Sequence, residues 1–243
     1  MSSSSGSGSF FIRRPARYLL DVPTPTGDGA PVLVVALHGY GMNPAEMLGF
    51  TRNLLGPAPV IASLEGPNSV FLGKDPRAAR SGFHWGTRET TEFHIDVHHQ
   101  MVQGMVDLLR ERFPAGPERF LLLGYSQSVG LNYRFVAANP RVFHGVIALC
   151  GGVPGNWDAS GGDRIESALL HLARSEDEFF PAADAPAVEM RLRRRAADVT
   201  FHMEPGRHRF PLKAFGPVRA WVDRVFGAQE GMGDAAGSRS TPV

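Results

Sequence analysis

The chain has 243 residues, and an α/β fold of this length commonly stays undivided, so we expect one large domain. Hydrophobic residues make up 43% and charged residues 20% of the sequence, which is ordinary globular usage and excludes fibrous and membrane classes. The 25 basic and 24 acidic residues give a formal net charge of +1. Such a balance predicts no nucleic-acid partner and no polyanionic substrate.

Both ends of the chain have the composition of flexible segments. Residues 1–9 form a polar, serine-rich lead, and the following FFIRRPARYLL contains three arginines that interrupt any apolar signal region. Residues 228–243 are typical of a disordered tail. No run reaches the roughly 18 apolar residues that a spanning helix needs, so we expect no stable membrane anchoring and a cytoplasmic location. The catalytic domain is predicted to occupy residues 10–227, and the oligomeric state is left open.

Short apolar runs alternate with longer helical patterns along the domain. The runs that predict strands are RYLLDVP (17–23), PVLVVALH (31–38), PVIASLE (59–65), FLLLG (120–124), GVIALC (145–150), ALLHLA (168–173) and VTFHME (199–204). The segments that predict helices are 44–55, 91–113, 128–139, 185–197 and 215–226. Continuous apolar strands between helices indicate a three-layer α/β domain with a mostly parallel sheet.

Four loops with hydrolytic residue types follow predicted strands. They are HGYG (38–41), GYSQS (124–128), RSEDEFF (174–180) and EPGRHRF (204–210). Ligands bind at the carboxyl ends of the strands in open parallel sheets, so these loops are expected to meet at one edge.

Two serines compete for the role of nucleophile. In the G-x-S-x-G elbow the serine lies on a tight turn between a strand and a helix. The apolar run ends at Leu123, which places Ser126 at the tip of the turn and Ser128 in the first helical turn. We therefore favour Ser126, while the alternative that this stretch is only a polar connection with helix-capping serines stays open.

The motifs LHGYGMNPAEM, GYSQSVGLNYRFVAANPRVFHGVIALCGG, SEDEFFP and PGRHRFP resemble the phospholipase/carboxylesterase family of α/β-hydrolases, which includes acyl-protein thioesterases. That family shows LHG-x-G, G-F-S-Q-G-G, D-x-x-V-P and G-H, and the resemblance spans nearly all of the chain between its two ends. It implies the three-layer α/β-hydrolase fold.

Three departures from the family pattern stand near these motifs. Ser128 and Val129 replace the glycine pair of the elbow, Phe180 replaces valine, and Arg207 separates Gly206 from His208. The first departure adds side chains where the helix approaches the strand most closely, so it could strain the elbow.

The acid and the base follow the serine along the chain, as they do in α/β-hydrolases. Glu176, Asp177 and Glu178 are the acidic candidates, and the match to D-x-x-V-P selects Asp177, with Glu176 as the best substitute. His208 is the predicted base because it lies in a loop after the last strand. Its rival His202 falls inside a strand, where a structural role is expected.

The HGYG loop precedes the serine and is interpreted as an oxyanion element. The resemblance implies that the backbone N–H groups of Tyr40 and Gln127 are the two donors. His38 is out of order for the base, so we interpret it as a buried structural residue. The resemblance also makes Trp85 a candidate for lining the acyl pocket, against ordinary packing.

The remaining features predict no metal or cofactor. His94 and His98 lie four residues apart, but no third ligand is evident and a triad needs no metal. The only cysteine, Cys150, ends an apolar run and is expected to be a small buried residue. The interval between Cys150 and Ala168 is short and glycine-rich, which predicts no sizeable lid.

The sequence therefore predicts a serine hydrolase that cleaves carboxylic esters of small molecules or acyl groups through an acyl-enzyme. Ser126, Asp177 and His208 would form its triad. A thioesterase acting on acylated protein or on small thioesters is the nearest alternative, because the same triad cleaves both bonds. A hydrolase-like binding protein with a disabled elbow is the alternative from another class.

Overall fold

A computed structural model describes residues 8, 10, 12–24, 30–73, 80–87, 91–157 and 164–227. The strands are β1 (Tyr18–Asp21), β2 (Leu33–Leu37), β3 (Val60–Leu64), β4 (Asn68–Leu72), β5 (Arg80–His84), β6 (Phe120–Tyr125), β7 (Gly145–Leu149), β8 (Ala168–Arg174) and β9 (Val199–Glu204). The helices are α1 (Pro44–Leu55), α2 (Thr91–Arg112), α3 (Gln127–Ala138), α4 (Ala185–Arg195) and α5 (Phe215–Phe226). Every predicted strand and helix is confirmed, within a few residues at each end.

Seven strands form one sheet in the order β1-β3-β2-β6-β7-β8-β9. Only β1 pairs antiparallel, with β3, and the other pairs in this sheet are parallel. The register aligns Leu37 at the end of β2 with Gly124 near the end of β6. The loops that follow β2 and β6 therefore leave the sheet side by side, as predicted.

Successive side chains of the central strands are buried on opposite faces of the sheet. On β2, Leu33 and Val35 belong to the core shared with α2 and α3, whereas Val34 and Ala36 belong to the core shared with α1 and α5. Both faces are covered, which explains why these strands are apolar throughout rather than alternating. The mostly parallel, three-layer α/β fold predicted from the sequence is confirmed.

Helix α1 starts and stops where its sequence specifies. The Asn43 side chain accepts a hydrogen bond from the Glu46 backbone N–H, the Glu46 carboxylate accepts one from the Asn43 N–H, and Pro44 occupies the first turn. The helix ends at Gly56, whose φ of 88° suits glycine.

One hairpin was not predicted. β4 and β5 form a separate antiparallel two-stranded sheet, and the turn between them lies outside the described residues. Phe83 of β5 exchanges two backbone hydrogen bonds with the HGYG loop: Gly41 N–H donates to the Phe83 carbonyl and Phe83 N–H donates to the Met42 carbonyl, each at 2.8 Å. The hairpin therefore fixes the position of that loop.

None of the helices in the described ranges is long and apolar enough to cross a membrane. Apart from Gly8, the predicted lead and tail lie outside the described residues, so the proposed domain limits stay a prediction. Residues 151–157 and 164–167 contain no helix, and residues 158–163 of the interval predicted to lack a lid are not described.

Candidate active site

Ser126 lies between the end of β6 and the start of α3, at the tip of a strained turn. Its φ of 56° and ψ of −110° place a residue with a side chain in a region that glycine favours. Strain of this kind costs on the order of 1–3 kcal/mol and clusters at functional sites. The conformation has the positive φ expected of a strained strand-to-helix nucleophile turn.

Ser128 is fully buried beneath this turn, one residue into α3. Its Oγ donates to the Leu37 carbonyl oxygen at 2.9 Å, lies 3.1 Å from the Tyr125 carbonyl oxygen, and accepts from the Tyr125 N–H at 3.1 Å. The hydroxyl thus ties the elbow to the end of β2. Ser128 does not line the cleft above Ser126.

Val129 is the second side chain found where the motif pattern has glycine. It is accommodated by Gly151, which lies just after strand β7. Val129 is fully buried, and a Cβ built on Gly151 would overlap the Val129 side chain. The space that the family's glycine pair provides on α3 is therefore supplied here by Gly151.

Replacing Ser128 with alanine is expected to lower the free energy of unfolding by about 1–3 kcal/mol, because Tyr125 N–H and Leu37 C=O would lose a buried partner. Urea denaturation would measure the loss. Ser63→Ala is the matched control: the Ser63 hydroxyl is also buried but has no hydrogen-bond partner within the described part of the chain, so its removal should change stability little. Equal losses in both variants would contradict this assignment.

The three predicted triad residues lie in one hydrogen-bonded line. Ser126 Oγ is 2.8 Å from His208 Nε2, and His208 Nδ1 is 2.7 Å from Asp177 Oδ2. Asp177 Oδ1 accepts from the backbone N–H groups of Phe179 and Phe180, both at 2.9 Å. A carboxylate facing Nδ1 makes that nitrogen the donor, so Nε2 is left to accept the Ser126 proton.

His202 and Glu176, the alternatives for the base and the acid, lie outside this line of hydrogen bonds. His202 Nε2 is 2.9 Å from Glu204 Oε2 on the same strand, and Glu176 is exposed beside the loop. The Asp177 side chain is fully buried and that of His208 is only 12% exposed. The structure therefore brings together Ser126, Asp177 and His208 and excludes both alternatives from the line.

Glu178 holds the backbone of His208, a contact that the sequence did not reveal. Its Oε2 accepts from the His208 backbone N–H at 3.0 Å, and this bond is the main cause that lowers the pKa of the Glu178 carboxyl. Arg207 Nη2 lies 3.3 Å from the other Glu178 oxygen, and its side chain is 68% exposed. Most of the Arg207 side chain is therefore exposed to solvent while it pairs with Glu178.

Aromatic rings enclose the imidazole of His208. Tyr125 stacks on it with ring centroids 5.6 Å apart, Phe179 meets it edge-on at 4.9 Å, and Phe180 lies at 5.7 Å. These rings restrict the imidazole to the orientation that faces Ser126.

The HGYG loop passes directly beside Ser126. A Cβ built on Gly39 would lie 3.2 Å from Ser126 Cβ and would press on the Tyr125 ring, so only glycine fits there. In the described part of the chain, the backbone N–H groups of Tyr40 and Gln127 donate no hydrogen bond. Both are therefore available as donors, and their assignment to an oxyanion hole stays a prediction.

His38 is a structural residue, as expected. It is fully buried; Nδ1 donates to the Gly39 carbonyl oxygen at 2.8 Å, and Nε2 accepts from the Gly66 N–H at 2.9 Å. Burial lowers its pKa, which keeps the ring neutral.

The prediction that Trp85 lines the acyl pocket is wrong. Trp85 is fully buried, does not border the cleft, and donates from Nε1 to the His38 carbonyl oxygen at 2.8 Å. Its backbone N–H donates to the Gln127 side-chain oxygen at 3.0 Å, and Gln127 Nε2 donates to the Gly86 carbonyl oxygen at 2.9 Å. Trp85 and the Gln127 side chain therefore connect the HGYG loop to the start of α3. These two segments carry the N–H groups of Tyr40 and Gln127.

Ser126 opens into a cleft of about 840 Å³. Its walls are mostly aromatic and aliphatic, with a few polar groups at the nucleophile; the lining residues are Tyr40, Met42, Phe50, Tyr125, Ser126, Gln127, Phe179, Phe180, His208, Arg209, Phe210 and Leu212. An apolar cleft with convergent polar groups is the usual form of a small-molecule site.

Comparison with known proteins identifies the fold. Neither a protein-family model nor a curated protein matches the sequence. Among solved structures, esterase PE8 is similar with a TM-score of 0.69 and 17% identity over 86% of this chain and 99% of that one. The Bacillus cereus carboxylesterase has a TM-score of 0.65 and 17% identity, over 87% and 95% of the two chains. A phospholipase/carboxylesterase from Dyadobacter fermentans has a TM-score of 0.61 and 18% identity, over 86% and 95%.

This chain has the α/β-hydrolase fold. Its similarity to carboxylesterases and to phospholipase/carboxylesterase structures agrees with the resemblance seen in the motifs. Ser126, Asp177 and His208 follow one another along the chain in the order that serine, acid and histidine have in this fold in general.

Two further titratable residues, His98 and Cys150, are buried and do not line the cleft. His98 is fully buried against Asn132, with 3.0 Å between His98 Nε2 and Asn132 Oδ1, and burial lowers its pKa to about 3. Among the described residues no group of three side chains could hold a metal ion. Cys150 is buried as predicted, and burial raises the pKa of its thiol to about 12.

Proposed function

We propose that the chain is a serine hydrolase that cleaves carboxylic esters through an acyl-enzyme on Ser126, as carboxylesterases do. The observation that carries the proposal is the line from Ser126 Oγ through His208 to the buried Asp177, with distances of 2.8 and 2.7 Å, at the floor of an apolar cleft. The neighbouring structures described as esterases and carboxylesterases support the same activity.

In the first half of the reaction, Ser126 Oγ attacks the ester carbonyl carbon while its proton passes to His208 Nε2. The negative charge that develops on the carbonyl oxygen is stabilised by the backbone N–H groups of Tyr40 and Gln127, which have no other acceptor in the described part of the chain. His208 then returns its proton to the departing alcohol oxygen. The alcohol leaves, and the acyl group remains bonded to Ser126.

In the second half, His208 Nε2 takes a proton from water, and the hydroxide attacks the acyl carbonyl carbon. The same two N–H groups stabilise the second oxyanion. His208 returns the proton to Ser126 Oγ, which releases the carboxylic acid. Asp177 orients His208 throughout and stabilises the imidazolium.

The rival interpretation as a binding protein rests on the missing elbow glycines. Ser128 hydrogen-bonds inward and Val129 packs against Gly151, so neither side chain displaces Ser126 from His208. Backbone strain such as that at Ser126 is typical of functional sites and would bring no benefit to an inactive elbow. The binding protein is therefore the weaker proposal.

A fluorophosphonate probe tests the proposal directly, because it reacts with an activated serine and not with a binding module. We expect one probe per chain on Ser126, located by mass spectrometry, together with hydrolysis of p-nitrophenyl butyrate. A matched thioester substrate would separate esterase from thioesterase preference. An unlabelled, folded protein would refute the proposal.

A further inference from the structure

A second cavity of about 350 Å³ lies behind the triad acid, between α4 and the ends of β8 and β9. It shares only two lining residues with the cleft above Ser126, namely Phe179 and Phe180. These two rings therefore separate the two spaces. The partition lies within the loop where Phe180 stands in the place of the family's valine.

Of the two rings, Phe180 spans the boundary. Its centroid is 5.7 Å from that of His208, which borders the cleft, and its edge lies 3.0 Å from a Cβ built on Gly152, which borders the second cavity. Its backbone N–H is hydrogen-bonded to Asp177 Oδ1, so the turn that carries the ring is fixed. Phe179, in contrast, is 69% exposed and forms the outer rim.

Apolar side chains form part of the second cavity, and its two acidic residues are accommodated elsewhere: Asp177 faces His208, and Asp184 is exposed to solvent. Val153, Val188 and Phe201 form part of its walls. The guanidinium groups at its border already donate to backbone carbonyls: Arg174 to Arg207 at 3.2 Å and Arg191 to Pro154 at 2.7 Å. A linear alkyl chain entering it would bind more tightly with each methylene group that it buries.

We propose that Phe180 is a specificity-determining residue, whose ring closes the cleft off from the second cavity and so limits the length of the linear alkyl chain of the ester. The inference rests on the proposed esterase function. The alkyl chain belongs to either the acyl or the alcohol side of the ester, and the two arms of the experiment distinguish these sources.

The test compares the wild-type protein with Phe180→Val. The first arm uses p-nitrophenyl esters from acetate to dodecanoate, and the second uses alkyl acetates from ethyl to dodecyl, all below their solubility limits. Opening the partition is expected to raise kcat/KM for the dodecyl-length substrate, relative to the shortest, by about tenfold or more in one arm. The gain should come mainly from a lower KM, because the added contact binds ground state and transition state alike.

Two controls separate a new subsite from a loosened active site. Val188→Trp fills the second cavity from α4 without touching the cleft, so it should leave the wild-type profile unchanged and reverse the gain when combined with Phe180→Val. Phe210→Val enlarges the cleft on a wall that does not reach the second cavity, so it should not reproduce the gain.

Two measurements show whether each variant is folded: labelling of Ser126 by the fluorophosphonate probe, and the midpoint of thermal unfolding. If Phe180→Val is not folded, Phe180→Leu replaces it. Parallel chain-length profiles for wild type and variant, in both arms, would overturn the inference while leaving the esterase function intact. A gain that survives Val188→Trp would also overturn it. A wild-type protein that neither labels nor hydrolyses any ester would instead refute the proposed function.

Discussion

Replacing Ser126 with alanine is expected to lower kcat for ester hydrolysis by a factor on the order of 10⁵–10⁶, the loss typical of removing the nucleophile of a triad. The reason is specific to this atom: Ser126 Oγ is the group hydrogen-bonded to His208 Nε2 at the floor of the cleft. The residual rate would come from the oxyanion donors acting on water attack. Steady-state hydrolysis of p-nitrophenyl butyrate and loss of fluorophosphonate labelling would measure the effect.

Ser128→Gly is the matched control, because it removes a hydroxyl two residues away. Ser128 Oγ is directed at Leu37 and Tyr125, so the variant should still label and still hydrolyse esters, although it should be less stable. A Ser126→Ala protein that remained active, or a Ser128→Gly protein that lost all labelling while folded, would reverse the assignment of the two serines.

Much of the fold was predictable because the sequence marks its boundaries locally. Helix α1 is bounded by a reciprocal cap at Asn43 and by Gly56, and the central strands are unbroken apolar runs because both faces of the sheet are covered. The β4–β5 hairpin lacks such a signal. Its strands are five residues long and contain exposed positions and Gly82, which packs against the Gly41 backbone.

The candidate site was predictable to the extent that chain order and strand ends determine it. Ser126 and His208 follow from their places after strands, whereas the choice of Asp177 over its acidic neighbours depended on family resemblance. The contacts of Gln127 and Glu178 join segments far apart in the sequence, so no local pattern contains them. Trp85 was misassigned because the resemblance suggested a position beside the pocket, whereas the ring lies in the core and its N–H donates to the His38 carbonyl.

The structure accommodates in different ways the residues that depart from the motif pattern this chain resembles. Ser128 turns its hydroxyl inward to hold the elbow against β2, and Gly151 yields the space that Val129 takes. Phe180 leaves the triad in line, since its backbone supports Asp177, while its ring borders the substrate space. Of these changes, Phe180 is the one whose side chain borders the cleft, which is why we propose that it limits the esters that the protein accepts.

Asp177→Asn is expected to lower kcat by about 10⁴-fold while KM changes little. The direction follows from the hydrogen bonds of the carboxylate. Because Phe179 and Phe180 donate to Oδ1, the asparagine must place its oxygen there, which turns its NH₂ group toward His208 Nδ1. Nδ1 must then accept, so the ring proton moves to Nε2, and Nε2 can no longer take the proton of Ser126.

Glu176→Gln makes the same change from carboxylate to amide one residue earlier, on an exposed side chain, and should leave kcat within a few-fold of wild type. Steady-state kinetics with p-nitrophenyl butyrate measures both variants, and the thermal midpoint confirms that they are folded. The tautomer argument makes a further distinction: Asp177→Ala, which cannot force the proton onto Nε2, should retain more activity than Asp177→Asn if its fold is intact. If Glu176→Gln were the damaging change, the acid would have been misassigned, and the short contact between Asp177 and His208 would need another role.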